Sequence, residues 1–111
     1  GKGDWTYGRI EVRAQLPGGQ GVWPAIWMMP TASVYGTWAA SGEIDIMEAV
    51  NLDDEGRMPV YGTLHYGGTT PANVNSGTSY AAADFDPLDE FHTYAIEWSA
   101  TEIRWYVDDV H

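Results

Sequence analysis

Cysteine is absent from the 111-residue chain, which excludes a disulfide framework, a zinc-thiolate site and a cysteine nucleophile. Basic residues are scarce: 5 Lys and Arg stand against 16 Asp and Glu, which leaves a net charge of −11. Because a field of that sign repels phosphate backbones and anionic lipid, we expect no nucleic-acid partner and no membrane partner. No apolar stretch reaches the length of a transmembrane helix, and no signal peptide is visible.

Phenylalanine is also scarce, with 2 residues against 6 Trp and 7 Tyr. Amphipathic aromatics suit a surface that stacks on a ligand and remains hydrated. Ordinary sheet packing is the alternative, since aromatics favour strands in any case. Segments with helical periodicity and internal repeats are missing too, so no helix is predicted.

Apolar and polar residues alternate along most of the chain, which is typical of half-buried strands. Strands are predicted over 7–16, 43–50, 60–66, 92–99 and 103–108, and the polar link 99–102 joins the last two as a hairpin. The apolar run 22–29 contains Pro24, which argues against a helix interior or a central strand throughout. Segment 67–90 is rich in small polar residues and is predicted to be a long surface excursion. Short strands joined by turns indicate an antiparallel sandwich or jelly roll.

Residues 42–48, Gly-Glu-Ile-Asp-Ile-Met-Glu, contain three carboxylates. On a regular strand Glu43 and Asp45 share one face, while Glu48 points with the isoleucines to the other. An unpaired carboxylate in the core is costly, and one extra residue near 46–47 would remove the conflict as a β-bulge. The stretch therefore predicts a row of three acids on one exposed face, with both isoleucines buried opposite.

A row of acids has a chemical use, because retaining cleavage of a glycosidic bond needs two carboxyl groups about 5–5.5 Å apart. Glu43 and Glu48 would lie four ladder positions apart, roughly 13 Å between Cα atoms, a gap that two long side chains on a concave sheet can close. The charge of Asp45 between them would raise the pKa of a neighbouring carboxyl. A solvated acidic face and a calcium site are the alternatives, although calcium loops normally carry glycine between their acids.

Several ordered blocks resemble glycoside hydrolase family sixteen, and most closely its laminarinase-like endo-β-1,3-glucanases. These blocks are residues 8–14, 21–29, 41–48, 62–67, 91–98 and 103–108. A lone Glu-x-Asp-x-x-Glu would be weak support, whereas ordered blocks over almost the whole chain are specific. The resemblance implies an all-β, concanavalin A-like jelly roll of two curved antiparallel sheets. Members usually have over twice this length, so residues 1–111 are expected to be the central part of one catalytic domain, truncated at both ends.

The resemblance also implies roles for the three acids in a retaining double displacement. Glu43 matches the nucleophile, Glu48 the general acid/base and Asp45 the assisting carboxylate. Two residues separate the last two acids, which is the longer, bulged version found in laminarinases, agarases and carrageenases. Lichenases have one residue fewer at this point.

Six further residues are candidate substrate-binding groups: Trp23, Trp27, Trp38, His65, Arg9 and Asn51. The resemblance matches Trp23 and Trp27 to aromatics that line the cleft, and His65 to a cleft histidine. Core packing is the alternative for Trp23 and Trp27, and a structural strand position is the alternative for His65. Trp38, just before the acids, is a weaker candidate. Arg9 and Asn51 could hydrogen-bond sugar, or they could be solvated or packing residues.

The function expected from the resemblance is endo-hydrolysis of β-1,3-glucan, laminarin-like, or of mixed β-1,3/1,4-glucan. It implies no required cofactor and no metal at the acids, with a structural calcium only in the complete domain. We expect an extracellular, secreted monomer whose partner is the polysaccharide. A non-catalytic carbohydrate-binding module of the same fold is one alternative. A hydrolase of another algal galactan is the other, although a sulfated galactan would call for more Arg and Lys.

Overall fold

A computed structural model of the chain describes residues 3–50, 52, 59–82 and 85–111. The described residues form seven β-strands and no helix, so nothing among them could cross a bilayer as a helix. The strands are β1 Gly8–Ala14, β2 Ala25–Met28, β3 Glu43–Glu48, β4 Val60–Tyr66, β5 Val74–Tyr80, β6 His92–Trp98 and β7 Ile103–Val107. The five strands predicted from alternation are therefore confirmed, with ends that agree within two residues.

Two antiparallel sheets make up the fold. One has the strand order β1-β6-β7 and the other the order β2-β3-β4-β5. The predicted β6–β7 hairpin is present, and the amide of Ser99 donates to the carbonyl of Glu102 in its link. The order of strands confirms the all-β sandwich.

The hydrophobic core lies between the two sheets. From β3 it receives Ile44, Ile46 and Met47, and from β6 it receives Tyr94 and Ile96, all of them buried. Burying each of the isoleucine and methionine side chains stabilises the fold by roughly 1.5–3 kcal/mol relative to leaving it in water. The predicted burial of both isoleucines of β3 is confirmed.

Strand β3 carries one extra residue relative to both of its neighbours. Against β4, Asp45 pairs with Thr63 and Glu48 pairs with Tyr61, so three steps along β3 match two along β4. Against β2 the register shifts at the same place. The predicted bulge at 46–47 is thus confirmed, and it returns Glu48 to the face that Asp45 occupies.

The prediction for 67–90 is wrong in its middle part, because that segment contains β5. Strand β5 pairs with β4 along its full length, with Tyr80 opposite Val60 and Val74 opposite Tyr66. Its residues are mostly exposed, and Asn, Ser and Gly have little intrinsic preference for strands. Main-chain pairing with β4, not burial of an apolar face, therefore makes this segment a strand.

His92 ties β6 to two neighbouring loops. Its Nδ1 lies 2.5 Å from a carboxylate oxygen of Asp108, and its Nε2 lies 2.8 Å from the carbonyl oxygen of Asp86. Both ring nitrogens face acceptors, so the doubly protonated ring satisfies both hydrogen bonds. Burial lowers the pKa of His92, but the bonds to Asp108 and to the Asp86 carbonyl, helped by the charge of Glu90, raise it above 6.5 overall.

A raised pKa in the folded state makes the contribution of His92 to stability dependent on pH. That contribution is fully present below about pH 6.5 and is lost as pH rises through the higher folded-state pKa. We predict that His92→Gln removes this loss when thermal unfolding is followed between about pH 6 and pH 9. The exposed His111→Gln is the matched control. A wild-type pH dependence in the His92 variant would contradict the prediction.

Candidate active site

Strand β3 presents its three acids on the face that points away from the core. Their partners on β4 are the alternate residues of that strand, His65 for Glu43, Thr63 for Asp45 and Tyr61 for Glu48. The acids line a groove of about 360 Å³ together with side chains of β2 and its approach, Trp23, Ala25, Trp27 and Met29. The shared face predicted for the three acids is therefore present.

Asp45 is the member of the row that departs from the prediction, because it is only 2% exposed. One of its carboxylate oxygens lies 2.9 Å from Nε2 of His65. Burial raises its pKa, a hydrogen bond with Glu43 raises it further, and His65 opposes both, with a net value of about 6. We expected Asp45 to raise the pKa of a neighbour, but the raised pKa in the structure is its own. Below about pH 6 this carboxyl therefore holds a proton between Glu43 and His65.

Trp38 contacts the candidate nucleophile directly. Its indole Nε1 donates a hydrogen bond to Oε2 of Glu43, and its ring is tilted against that of His65 with centroids 5.4 Å apart. Glu43, Asp45 and His65 in turn offer ligand atoms that all lie within 4.8 Å of one another. That spacing would admit a cation, and it equally lets neighbouring carboxyl groups share a proton.

The two tryptophans of the groove are exposed. Trp23 is 63% exposed and Trp27 is 56% exposed, and Trp27 pairs with Asp45 across the β2–β3 ladder. Core packing, the alternative reading of both residues, is thereby contradicted. Their indole faces are available beside the acids.

One predicted binding residue, Arg9, is not brought to the groove. Arg9 lies on β1 in the other sheet, and its guanidinium bonds to Glu11, Glu97 and Asp109 at 3.1, 3.0 and 2.6 Å. Its position corrects the prediction: Arg9 neutralises an acidic cluster on the outer face of that sheet. Asn51 lies outside the described residues.

Sequence reasoning missed several polar side chains on the same face as the acids. A second groove, of about 310 Å³, is lined by residues of β4 and β5, Tyr61, Thr63, Asn75, Gly77, Thr78 and Ser79. Tyr61 and Thr63 alternate with His65, so the period of two that placed His65 could have found them. Asn75 and Ser79 were missed because β5 itself was missed.

The family model for glycosyl hydrolases family 16 matches residues 1–111. The chain belongs to this family. It is 51% identical over 105 residues to the glucan endo-1,3-beta-glucosidase A1 of Niallia circulans, a match that covers 92% of this chain and 15% of that protein. It is 46% identical to a beta-1,3-glucan-binding protein of Penaeus monodon, over 96% of this chain and 30% of that one.

The solved laminarinase of Rhodothermus marinus superposes on the chain with a TM-score of 0.81 and 44% identity. The superposition covers 97% of this chain and 42% of the laminarinase. The likeness confirms the predicted jelly-roll fold of the family. The chain spans less than half the length of each of these relatives.

The raised pKa of Asp45 also makes the stability of the fold depend on pH. The cause differs from that at His92: burial raises the pKa of Asp45, whereas hydrogen bonds raise that of His92. Between its ordinary value of 3.8 and its folded value of about 6, the folded protein keeps a proton that the unfolded chain has released. Stability should therefore fall as pH rises through that window. We predict that Asp45→Asn removes this fall, measured as the free energy of unfolding in urea from about pH 4 to pH 7.

The exposed Asp89→Asn serves as the control for that series, since its carboxylate lies on the surface. It should reproduce the wild-type curve. An unchanged curve in the Asp45 variant would place the responsible titration elsewhere.

Proposed function

We propose that the chain carries the catalytic face of a retaining endo-glycoside hydrolase that cuts β-1,3-glucan, laminarin-like, or mixed β-1,3/1,4-glucan. The observation that carries the proposal is the bulged β3, which brings Glu43, Asp45 and Glu48 to one groove beside two exposed tryptophans. The glucanase names of the Niallia and Rhodothermus relatives support the same substrate class.

The proposed reaction uses the two outer acids of the row. Glu48 protonates the glycosidic oxygen while Glu43 attacks the anomeric carbon, which gives a covalent glycosyl-enzyme and frees the leaving chain. Glu48 then removes a proton from water, which attacks the same carbon and releases Glu43. Since the chain's own carboxyl groups supply nucleophile, acid and base, this reaction calls for no cofactor.

Asp45 and Trp38 act on the nucleophile in this scheme. Trp38 holds one oxygen of Glu43 through its indole N–H, and Asp45 shares a hydrogen bond with the same carboxylate. The charge of Glu43 contributes to the raised pKa of Asp45. Forming the glycosyl ester removes that charge, so Asp45 holds its proton less tightly while the intermediate exists.

The glucan is proposed to lie across the four-stranded sheet. The exposed rings of Trp23 and Trp27 would stack on sugar faces at one side of the acids. The polar side chains of Asn75 and Ser79 would meet sugar hydroxyls at the other side. Grooves on an open sheet face, rather than a closed pocket, suit internal cleavage of a long chain.

We further propose that residues 1–111 form the central part of one catalytic domain. The shared length, 42% of the Rhodothermus laminarinase, supports this assignment. A polymeric glucan is too large to enter a cell, which supports secretion. All three acids of the row come from one strand of one chain, which supports a monomer.

Glucan binding without hydrolysis is the second candidate function. The 46% identical relative from Penaeus monodon is named a beta-1,3-glucan-binding protein, and exposed tryptophans serve binding as well as catalysis. The two candidates separate when the protein is incubated with laminarin and reducing ends are measured alongside retention of the protein in affinity electrophoresis through laminarin. Retention without product would favour binding alone.

We predict that Glu43→Gln abolishes turnover without unfolding the protein. Activity of the complete protein on laminarin should fall by about three orders of magnitude or more, because the first displacement loses its nucleophile. Reducing-end release gives the rate, and affinity electrophoresis in laminarin shows that binding is retained.

The matched control is Glu11→Gln. It makes the same change on β1, in the sheet that does not carry the acids, and should keep full activity. Turnover that persists in the Glu43 variant would defeat the assignment of the nucleophile.

A further inference from the structure

A tryptophan of the opposite sheet donates a hydrogen bond to the bulge in β3. A β-bulge takes residues out of the regular ladder, and buried main-chain polar groups need partners. At the start of the bulge, the carbonyl oxygen of Asp45 accepts a hydrogen bond of 2.9 Å from Nε1 of Trp105. Trp105 belongs to β7, so its indole reaches across the sandwich to the strand that carries the acids.

Gly62 gives the indole room to reach that carbonyl. It is the single residue of β4 between the partners of Asp45 and Glu48, and so lies opposite the bulge. A Cβ at this position would overlap Cδ1 and Nε1 of Trp105. Gly62 is not among the glycines with positive φ, so space rather than backbone freedom explains the glycine.

The apolar side chains of β3 do not by themselves define where the bulge falls. Ile46 and Met47 are both buried, so either could be the extra residue as far as burial is concerned. With either one extra, Glu48 keeps the groove face, but a strand that pairs with no extra residue is shifted by one beyond Asp45 and turns Glu48 toward the core. A fixed contact at the residue before the bulge removes this ambiguity, and the Trp105 hydrogen bond is such a contact.

We propose that Trp105 is a positioning residue for the reaction: its indole N–H, admitted by Gly62, fixes the Asp45 carbonyl and with it the bulge that places Glu48 on the same face as Glu43. The inference rests on the proposed hydrolase function. Trp105 touches no substrate in this scheme. Its loss should therefore disturb the spacing of the reacting carboxyl groups and leave sugar binding intact.

The decisive variant is Trp105→Phe in the complete protein, because it keeps an aromatic ring and removes the donor. A displacement of about 1 Å at a reacting group costs on the order of a hundredfold in rate, so we expect kcat on laminarin to fall by about ten- to a hundredfold. KM should stay within about twofold of wild type, since uniform binding is unchanged. Main-chain amides of residues 46–48 should exchange with solvent faster.

Trp98→Phe is the matched control. Trp98 lies on β6 of the same sheet as Trp105, and its ring packs edge-on against Tyr7. Among the described residues, the indole nitrogen of Trp98 has no hydrogen-bond partner on β3. The control should leave kcat and the exchange of residues 46–48 at wild-type values, even if it lowers the unfolding temperature.

Gly62→Ala tests the same contact from the other side. It should reproduce the kcat loss, and combining it with Trp105→Phe should add little, because both changes break one interaction. If the glycine variant does not fold, the Trp105 and Trp98 pair decides alone. Losses that add in full in the double variant would count against a shared contact.

Two results would overturn the inference: unchanged exchange at residues 46–48 in Trp105→Phe, or faster exchange with kcat at the wild-type value. A wild-type protein that releases no reducing ends from any β-glucan would defeat the proposed hydrolase instead. In that case, the amide exchange rates of residues 46–48 in Trp105→Phe still show whether Trp105 stabilises the bulge.

Discussion

The extra residue between Asp45 and Glu48 is the constraint on which the rest of the molecule depends. The same six-residue strand must bury Ile44, Ile46 and Met47 against β6 and still turn Glu48 to the other face. A regular strand cannot satisfy both requirements, because its side chains alternate strictly. The bulge reconciles them. The registers of β2 and β4 and the glycine at 62 all accommodate this one irregularity.

Burial of Asp45 links that geometry to the chemistry of the groove. A carboxyl withdrawn from water favours its neutral form, and here its pKa rises to about 6. The hydrogen bond to His65 favours the charged form instead and limits the rise. The hydrogen bond and the charge of Glu43 also raise this pKa, so a loss of the charge of Glu43 would lower it. A carboxyl balanced in this way suits the proposed reaction, in which the neighbouring Glu43 would lose and regain its charge during each cycle.

Local patterns in the sequence predicted what local physics determines. Alternation located β1, β3, β4, β6 and β7, and the misplaced Glu48 alone predicted the bulge, since a buried unpaired carboxylate had to be avoided. The features that the sequence patterns did not predict depend on contacts between residues far apart in the chain. Strand β5 is made by its ladder with β4, the carboxylates around Arg9 are up to 100 residues away in sequence, and the Trp105 bond to Asp45 spans 60 residues. No window of sequence contains these contacts.

Fold alone does not distinguish hydrolysis from binding, because a glucan-binding relative and a glucanase relative share this chain's sequence at similar identity. The energetics of β3 favour hydrolysis. An apolar residue in place of Glu48 would let the strand run without a bulge, and an amide in place of Asp45 would avoid a buried titratable group. A surface that only stacks on sugar needs neither the irregular strand nor the buried carboxyl of Asp45. The proposed hydrolysis would use both features, because it needs Glu48 in the groove and a carboxyl beside Glu43.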